Sequence, residues 1–343
     1  MSIAMTKILN QLAEGERLPQ AVAEEVMDLI MVGEATGPQI GALLMALRMR
    51  GESPEEISGF ARSMRRHALP VAIARRPIVD TCGTGGDGSH SFNISTVAAL
   101  VAAGAGASVV KHGNRAASSK SGSADLLEAL GIQLSPEPSV LIRMVEETGF
   151  GFLFAQSVHT AMRYAAPVRR DLGIRTVFNL LGPLTNPAVP EFQVIGVFDA
   201  SRIQLMAEAL VRLNVDRALV VHGDGLDEVT LSGVTQYALV DGGNIVTGEW
   251  TPEDFGLPGY SKSSVIGGDP TVNAEICLRL LAGEPGPYLD VVLANAGVAL
   301  YAARMVDSPC QGVRVARESV TSGSAARVLA RLQELSGGAR TAS

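Results

Sequence analysis

The chain has 343 residues, of which 47% are hydrophobic and 18% charged, a composition typical of a globular protein and not of a disordered one. Its formal net charge of −7 argues against a broad nucleic-acid-binding surface, which needs an excess of Lys and Arg. The three cysteines are widely separated, and the longest apolar stretch, about 97–110, is broken by glycine and too short to span a bilayer. The first twenty residues also lack an apolar secretion signal, so we expect a cytoplasmic protein with no membrane or nucleic-acid partner.

The first seventy or so residues predict three amphipathic helices and no strand. One covers about 22–30, and a second follows Thr36, with Pro38 in its first turn. A third begins at Ser53, which starts an S-x-x-E capping box with Pro at the first helical position. These residues predict a small all-α domain over 1–72, which helices from about 160–185 are expected to join.

From residue 73 to residue 343 the pattern predicts a larger α/β domain. Apolar runs rich in β-branched residues predict four strands, at 77–80, 107–110, 194–198 and 218–221. Helices are predicted to begin at Val97, after a cap at Ser123, and at about Arg202. Strands that alternate with helices indicate a central, mostly parallel sheet flanked by helices.

A glycine-rich loop follows the first predicted strand. Residues 83–88 match G-x-G-x-x-G, a pattern that also occurs in dinucleotide-binding oxidoreductases and in flexible turns. In a dinucleotide-binding unit the helix begins inside the motif, whereas here it is predicted only from Val97. The second strand also ends at Lys111 and not at an acid that could bind a ribose hydroxyl. The loop alone leaves these interpretations open.

A second polar loop, residues 111–123, follows the next strand. It contains ammonium, guanidinium, hydroxyl and glycine amide donors, and it ends at a predicted helix N-terminus, which favours an anion. Two such loops at the carboxyl edge of one sheet indicate a site for a phosphorylated ligand, because α/β proteins bind ligands at that edge.

The motifs D-T-C-G-T-G-G-D and K-H-G-N-R-x-x-S-S-K-S-G-S-A-D resemble those of anthranilate phosphoribosyltransferases. The resemblance extends through H-T-A-M-R-Y-A-A-P-V-R, R-T-x-F-N-L-L-G-P-L-T-N-P and G-L-D-E to the G-G-D near Asn273. It implies an enzyme of tryptophan biosynthesis that transfers the phosphoribosyl group of phosphoribosyl pyrophosphate to the amine of anthranilate and releases pyrophosphate. It also implies a homodimer formed mainly through the N-terminal helices.

The resemblance further implies three sets of site residues. The phosphoribosyl pyrophosphate contacts would be Gly83, Gly86, Asp87, Ser91, Asn93, Ile94, Ser95, Thr96, Lys111, His112, Gly113, Asn114, Arg115, Ala116, Ala117, Ser118, Ser119 and Ser123. Anthranilate would contact Gly83, Asn114 and Arg169, whose guanidinium can hold a carboxylate. Mg²⁺ would bind Ser95, Asp227 and Glu228, a set that suits its preference for carboxylates together with substrate phosphates.

Several features of the acceptor side stay open. His112 and His159 are candidates to line the acceptor path or to act as a general base, although a lone histidine is more often structural. Gln156 stands where the family often has proline. Three other functions are alternatives: a pyrimidine nucleoside phosphorylase of the same fold, a non-enzymatic nucleic-acid-binding relative, and the dinucleotide oxidoreductase considered above.

Overall fold

The computed structural model describes residues 4–116 and 119–337, so the predicted site residues Ala117 and Ser118 lie outside the described residues. The described chain contains a four-helix N-terminal region followed by an α/β region with one sheet. The helices are α1 Met5–Ala13, α2 Gln20–Met31, α3 Gly37–Arg50, α4 Pro54–Arg66, α5 Ile94–Gly104, α6 Ser123–Ala129, α7 Pro138–Thr148, α8 Ala155–Val158, α9 Ala166–Leu172, α10 Phe178–Leu181, α11 Ile203–Arg212, α12 Pro270–Leu281, α13 Pro287–Ala302, α14 Pro309–Thr321 and α15 Ser324–Leu335. The strands are β1 Val79–Gly83, β2 Val109–Gly113, β3 Phe150–Phe154, β4 Phe192–Gly196, β5 Arg217–Gly223, β6 Thr235–Asp241 and β7 Asn244–Trp250.

The N-terminal helices form where their caps predict them. Thr36 and Ser53 both accept a hydrogen bond from the third residue of the following helix, which completes a capping box at α3 and at α4. The prediction of three helices was wrong in number, because α1 precedes them and buries Met5, Ile8 and Leu12. The predicted joining segment 160–185 contributes α9, which packs on α3, and α10, which packs on α4.

The sheet has the order β3-β2-β1-β4-β5-β6-β7. The first five strands in that order pair in parallel, and β6 pairs antiparallel with both β5 and β7. The chain runs outward from β1 to β2 and β3 on one side and returns to β4 on the other, so the strand order reverses beside β1. In open α/β sheets a ligand site is expected in the crevice at such a switch point. The predicted fold class is confirmed: a small helical region and a larger α/β region with a mostly parallel sheet.

Helices cover both faces of the sheet. On one face α5 and α13 are almost wholly buried, with α12, α14 and α15 around them. On the other face α11 and the N-terminal helices form a second apolar cluster. Within residues 4–116 and 119–337, no helix is both long and apolar enough to cross a membrane.

Several predicted boundaries near the loops were wrong by one to three residues. Strand β1 starts later than predicted and continues to Gly83, and α5 begins at Ile94 and not at Val97. Ser95 and Thr96, the last two polar residues before Val97, lie in the first turn, where backbone N–H groups lack intrahelical partners and tolerate polar side chains. Gly122, and not Ser123, occupies the N-cap position of α6. The helix still begins after the G-x-G-x-x-G motif, unlike the helix of a dinucleotide-binding unit, which begins inside it.

Candidate active site

Three loops meet at the carboxyl edge of the parallel strands. They follow β1, β2 and β5, and the first and third are joined directly. Gly85 N–H donates to Asp227 Oδ2 at 2.6 Å, and Ser95 N–H donates to Glu228 Oε1 at 3.1 Å. The predicted acidic pair therefore lies against the glycine-rich loop and the start of α5, although more than 130 residues separate them in the sequence.

Glycine is required where this contact is closest. A Cβ atom on Gly83 would lie 2.2 Å from Asp227 Oδ2, and one on Gly196 would lie 1.6 Å from the Asp227 carbonyl oxygen. Gly85, Gly86 and Gly88 have positive φ, which lets the loop turn tightly between them. The glycine pattern thus serves both the close approach of Asp227 and the curvature of the loop.

Asp227 and Glu228 are carboxyl groups that lack a sufficient counter-charge. Burial raises the pKa of Asp227 well above its usual range, and the nearby carboxylates of Glu228 and Asp87 raise it further. Burial raises the pKa of Glu228 to about 7, although Lys111 and hydrogen bonds from Ser95 oppose the shift. Carboxylates held in this way favour the approach of a cation.

Asp87 supports the same turn. Its Oδ1 accepts a hydrogen bond from Ser89 N–H at 3.0 Å, and its Oδ2 accepts one from Asp227 N–H at 3.4 Å. This aspartate therefore bridges the glycine-rich loop and the acidic pair, which explains an acidic residue within a loop otherwise suited to anions.

The acidic pair fits a metal that takes part of its coordination from elsewhere. Among the described residues, no group of three or more His, Cys, Asp and Glu side chains could hold a metal ion unaided. Two carboxylates with the Ser95 hydroxyl beside them match Mg²⁺, which commonly binds one or two carboxylates and completes its shell with water and phosphate oxygens.

Lys111 lies beneath the loops rather than on their surface. Its side chain is 2% exposed, and its Nζ donates to the Thr81 carbonyl oxygen and to Ser95 Oγ, the latter at 3.3 Å. The neighbouring buried carboxyl of Asp80 has its pKa raised to about 6 by burial, against the opposing effect of Lys111. Asp80 accepts hydrogen bonds from His112 N–H and from Asn186 Nδ2, so it ties β1 to β2 and to residue 186.

The loop after β2 is closed by its own helix. Asp125 Oδ2 accepts hydrogen bonds from Ala116 N–H and Gly122 N–H, each at 2.9 Å. Arg115 forms ion pairs with Asp125 at 2.9 Å and with Glu128 at 2.7 Å, so its charge is already partly neutralised. Gly113 is needed here because a Cβ atom would lie 2.3 Å from Ser123 Oγ.

Arg169 and Asn114 stand at the proposed acceptor side. Arg169, on α9, is partly buried, and its guanidinium lies 5.0 Å from the centroid of the Phe178 ring. Burial lowers its pKa. Across residues 4–116 and 119–337 its side chain has neither an ion pair nor a hydrogen bond. Asn114 Oδ1 accepts hydrogen bonds from Arg115 N–H at 2.8 Å and from Gln156 Nε2 at 3.2 Å. A hydrogen bond thus links Gln156 to Asn114, whereas among the described residues none links Arg169 to either of them.

His112 and His159 form a buried pair with ring centroids 5.0 Å apart. His112 Nδ1 lies 3.2 Å from the Gly182 carbonyl oxygen, while Nε2 of each ring is buried without a partner among the described residues. Burial is the main cause that lowers the pKa of His112 to about 3 and that of His159 to about 4. Both rings are therefore neutral at neutral pH.

The remaining predicted residues lie around the same edge. Ile94, Ser95 and Thr96 form the first turn of α5, and Ser91 Oγ accepts a hydrogen bond from Ser89 Oγ. Ser119 Oγ donates to the Ser121 carbonyl oxygen at 3.4 Å.

Sequence reasoning gave no role to Arg175. Its guanidinium lies 4.6 Å from the centroid of the Phe198 ring, and its Nε would be the nearest atom to a Cβ on Gly86, at 3.9 Å. The R-T-x-F-N motif, which begins at Arg175, is the sequence feature that could have indicated a role for this residue.

The fold and the site define a class of transferases that consists of a helical bundle and an α/β domain. The family model described as "Glycosyl transferase family, helical bundle domain" matches residues 6–68, and the one described as "Glycosyl transferase family, a/b domain" matches residues 75–326.

Relatives specify the family within this class. The chain is 51% identical to the anthranilate phosphoribosyltransferase of Symbiobacterium thermophilum, over 96% of this chain and 97% of the relative. It is 52% identical to that of Moorella thermoacetica, over 94% and 95%. The chain belongs to the anthranilate phosphoribosyltransferase family, which confirms the resemblance predicted from the motifs.

Solved structures agree with this assignment. The crystal structure of the Thermus thermophilus enzyme matches with a TM-score of 0.91 at 48% identity and covers 96% of this chain and 99% of its own. The Saccharomyces cerevisiae enzyme in complex with PRPP and Mg matches with a TM-score of 0.89 at 28% identity, over 98% of both chains.

Proposed function

We propose that this protein transfers the 5-phosphoribosyl group from phosphoribosyl pyrophosphate to the amine of anthranilate, as a step of tryptophan biosynthesis. The observation that carries the proposal is the meeting of two phosphate-type loops, the glycine-rich loop 83–93 and the loop 111–123, with a partly buried acidic pair at the switch point of the sheet. The yeast relative, which was solved with PRPP and Mg and also with 4-fluoroanthranilate, supports the same pair of substrates.

The reaction breaks the bond between the anomeric carbon and pyrophosphate, through a transition state expected to resemble an oxocarbenium ion. The protein's task is therefore to hold the leaving group and to position a weakly nucleophilic aromatic amine. Backbone N–H groups at the start of α5 and of α6 favour the negative phosphate groups. The phosphoribosyl pyrophosphate contacts proposed above occupy these two helix starts and the loops before them.

Mg²⁺ is proposed to bind at Asp227 and Glu228, with Ser95 beside them. When bound, it would supply the positive charge that offsets the pyrophosphate. The need for an added cation follows from the local charges, because Arg115 is paired with acids on its own loop and Lys111 is buried beneath Ser95.

Arg169 and Asn114 are proposed to bind the carboxylate of anthranilate, with Gly83 close to its ring. The guanidinium of Arg169 has no acidic partner among the described residues, and Asn114 directs its carbonyl oxygen toward Gln156 and Arg115 N–H. The Asn114 NH₂ group is therefore available to donate to a carboxylate. His112 and His159, both neutral, are proposed to line the acceptor path.

The activity can be tested with purified protein by following the loss of anthranilate fluorescence with phosphoribosyl pyrophosphate and Mg²⁺. We expect consumption that requires both additions. Turnover of a pyrimidine nucleoside with inorganic phosphate, in place of anthranilate consumption, would instead support the phosphorylase alternative. A salt-dependent shift of DNA would support the nucleic-acid-binding alternative.

A homodimer through the N-terminal helices is also proposed. Met45 and Met49 on α3 are exposed apolar side chains, which supports a covered face there. Light scattering at micromolar concentration should give the mass of two chains, and the mass of a single chain would contradict the proposal. The cytoplasmic location and the division at residue 72 remain predictions.

A further inference from the structure

The segment 265–273, which precedes and begins α12, lies directly on the glycine-rich loop. Phe92 N–H donates to the Val265 carbonyl oxygen at 3.1 Å, and Gly267 N–H donates to the His90 carbonyl oxygen at 2.9 Å. An isolated antiparallel bridge lies between these two bonds. The G-G-D motif of this segment, which is part of the family resemblance, therefore lies against the glycine-rich loop.

The contact is close enough to require glycine. A Cβ atom on Gly267 would lie 2.6 Å from Phe92 Cα and 2.7 Å from Asn273 Oδ1. The segment therefore brings Asn273, in the first turns of α12, to the base of the loop. Asn273 is 2% exposed, on a buried helix face that continues with Ile276 and Cys277.

Both the oxygen and the nitrogen of the Asn273 side-chain amide form hydrogen bonds. Its Oδ1 accepts a hydrogen bond from Gly268 N–H at 2.8 Å, and its Nδ2 donates to Asn93 Oδ1 at 2.9 Å. A buried amide without partners would destabilise the fold, so the site is organised around these two bonds. The first bond shapes the segment's own turn, and the second reaches the glycine-rich loop 180 residues away.

Asn93 passes the connection to the loop after β2. Its Oδ1 also accepts a hydrogen bond from Ser121 Oγ at 3.1 Å, and its Nδ2 donates to the Ser121 carbonyl oxygen at 3.0 Å. The hydrogen bond from Asn273 therefore fixes the orientation of the Asn93 amide, which pairs with both the hydroxyl and the carbonyl group of Ser121. One chain of hydrogen bonds joins the segment 265–273 to both phosphate-type loops.

We propose that Asn273 is a positioning residue for phosphoribosyl pyrophosphate: through Asn93 and Ser121 it holds the two phosphate-type loops in one relative arrangement before the substrate binds. The inference rests on the proposed function and adds a residue that contacts neither substrate. Loops that are already arranged lose less conformational freedom on binding, so the affinity for phosphoribosyl pyrophosphate should depend on this chain of bonds. The site for anthranilate should not.

The test is calorimetric binding of phosphoribosyl pyrophosphate with Mg²⁺ and without anthranilate, so that no turnover occurs. Asn273→Leu keeps a similar volume but removes both hydrogen bonds. We expect its Kd to rise about tenfold, as the loss of roughly one net hydrogen bond predicts. In steady-state kinetics KM for phosphoribosyl pyrophosphate should rise likewise, while KM for anthranilate should stay within about twofold. A folded variant with an unchanged Kd would overturn the proposal.

Two further variants separate positioning from general stability. Ser121→Ala removes only the hydroxyl bond at the other end of the chain, and it should raise the Kd by a smaller factor. The double variant with Asn273→Leu should raise the Kd by less than the product of the two single-variant increases. An increase equal to that product would mean that the two residues act independently and would overturn the proposed connection. Cys277→Ala, one turn further along the buried face of α12, is the matched control.

The control should lower the melting temperature through lost packing and leave the Kd unchanged. If Cys277→Ala raises the Kd as much as Asn273→Leu does, the role of Asn273 is merely structural and the proposal fails. A wild-type protein that does not bind phosphoribosyl pyrophosphate would refute the proposed function itself, a result that the variants alone cannot give.

Discussion

Neutralising the acidic pair should have opposite effects on activity and on stability. Asp227→Asn combined with Glu228→Gln removes two charges, while the amide oxygens can still accept the hydrogen bonds from Gly85 N–H and Ser95 N–H. If the pair binds Mg²⁺, the double variant should need about tenfold more Mg²⁺, or more, for half-maximal rate. Titration of Mg²⁺ against initial rate measures this directly.

The stability effect follows from the raised pKa of Glu228, about 7 against an ordinary value of 4.5. The folded protein holds this proton more tightly than the unfolded chain, so ionisation destabilises the fold, increasingly between pH 4.5 and 7 and fully above. A tenfold change in proton affinity corresponds to about 1.4 kcal/mol, so the full effect is on the order of a few kcal/mol, and Asp227, whose pKa is also raised, shares in it. Without Mg²⁺, the double variant should melt a few degrees higher than wild type at pH 8, and the gain should be small at about pH 3.5, below the ordinary pKa values of both groups.

Asp224→Asn is the matched control, because it removes a charge from the same loop. Asp224 is exposed, and its carboxylate forms an ion pair with Lys262 at 3.2 Å. Its positive φ of 50° is tolerated by asparagine. The control should leave the Mg²⁺ requirement unchanged. An unchanged Mg²⁺ requirement in the double variant would refute the metal site and leave the pair as a solvated turn.

Three other predictions concern the acceptor side. Arg169→Ala should lower kcat/KM for anthranilate by an order of magnitude or more, because a hydrogen bond to a charged group contributes roughly 1.5–3 kcal/mol. Binding of phosphoribosyl pyrophosphate should stay intact. A variant that loses only phosphoribosyl pyrophosphate binding would contradict the assignment of Arg169 to the acceptor side. Gln156→Leu frees the Asn114 amide to rotate, so KM for anthranilate should rise about three- to tenfold without an equal change for phosphoribosyl pyrophosphate. Because burial keeps both His112 and His159 neutral above about pH 4, the pH profile of kcat/KM at saturating Mg²⁺ should show no inflection near pH 6.5. An inflection there that is abolished by His112→Asn would disprove the neutral state of His112.

Local signals in the sequence were sufficient for much of the fold. Capping boxes at Thr36 and Ser53 depend only on residues three positions apart, and they predicted where α3 and α4 begin. The antiparallel strands β6 and β7 were missed, although Gly242 and Gly243, both with positive φ, form the tight turn between them. The two adjacent glycines are therefore a local sequence signal for this hairpin.

The sequence by itself determined the family, the alternation of strands and helices, and the residue types of both phosphate-type loops, because these are carried by short motifs. Only the tertiary structure decided which side chains meet. Asp227 reaches Gly85, and Asn273 reaches Asn93, across 142 and 180 residues. The partners of Arg115, the burial of Lys111 and the neutral state of His112 likewise depend on how the elements pack, because burial and distance set the charge of each group and no local pattern records either.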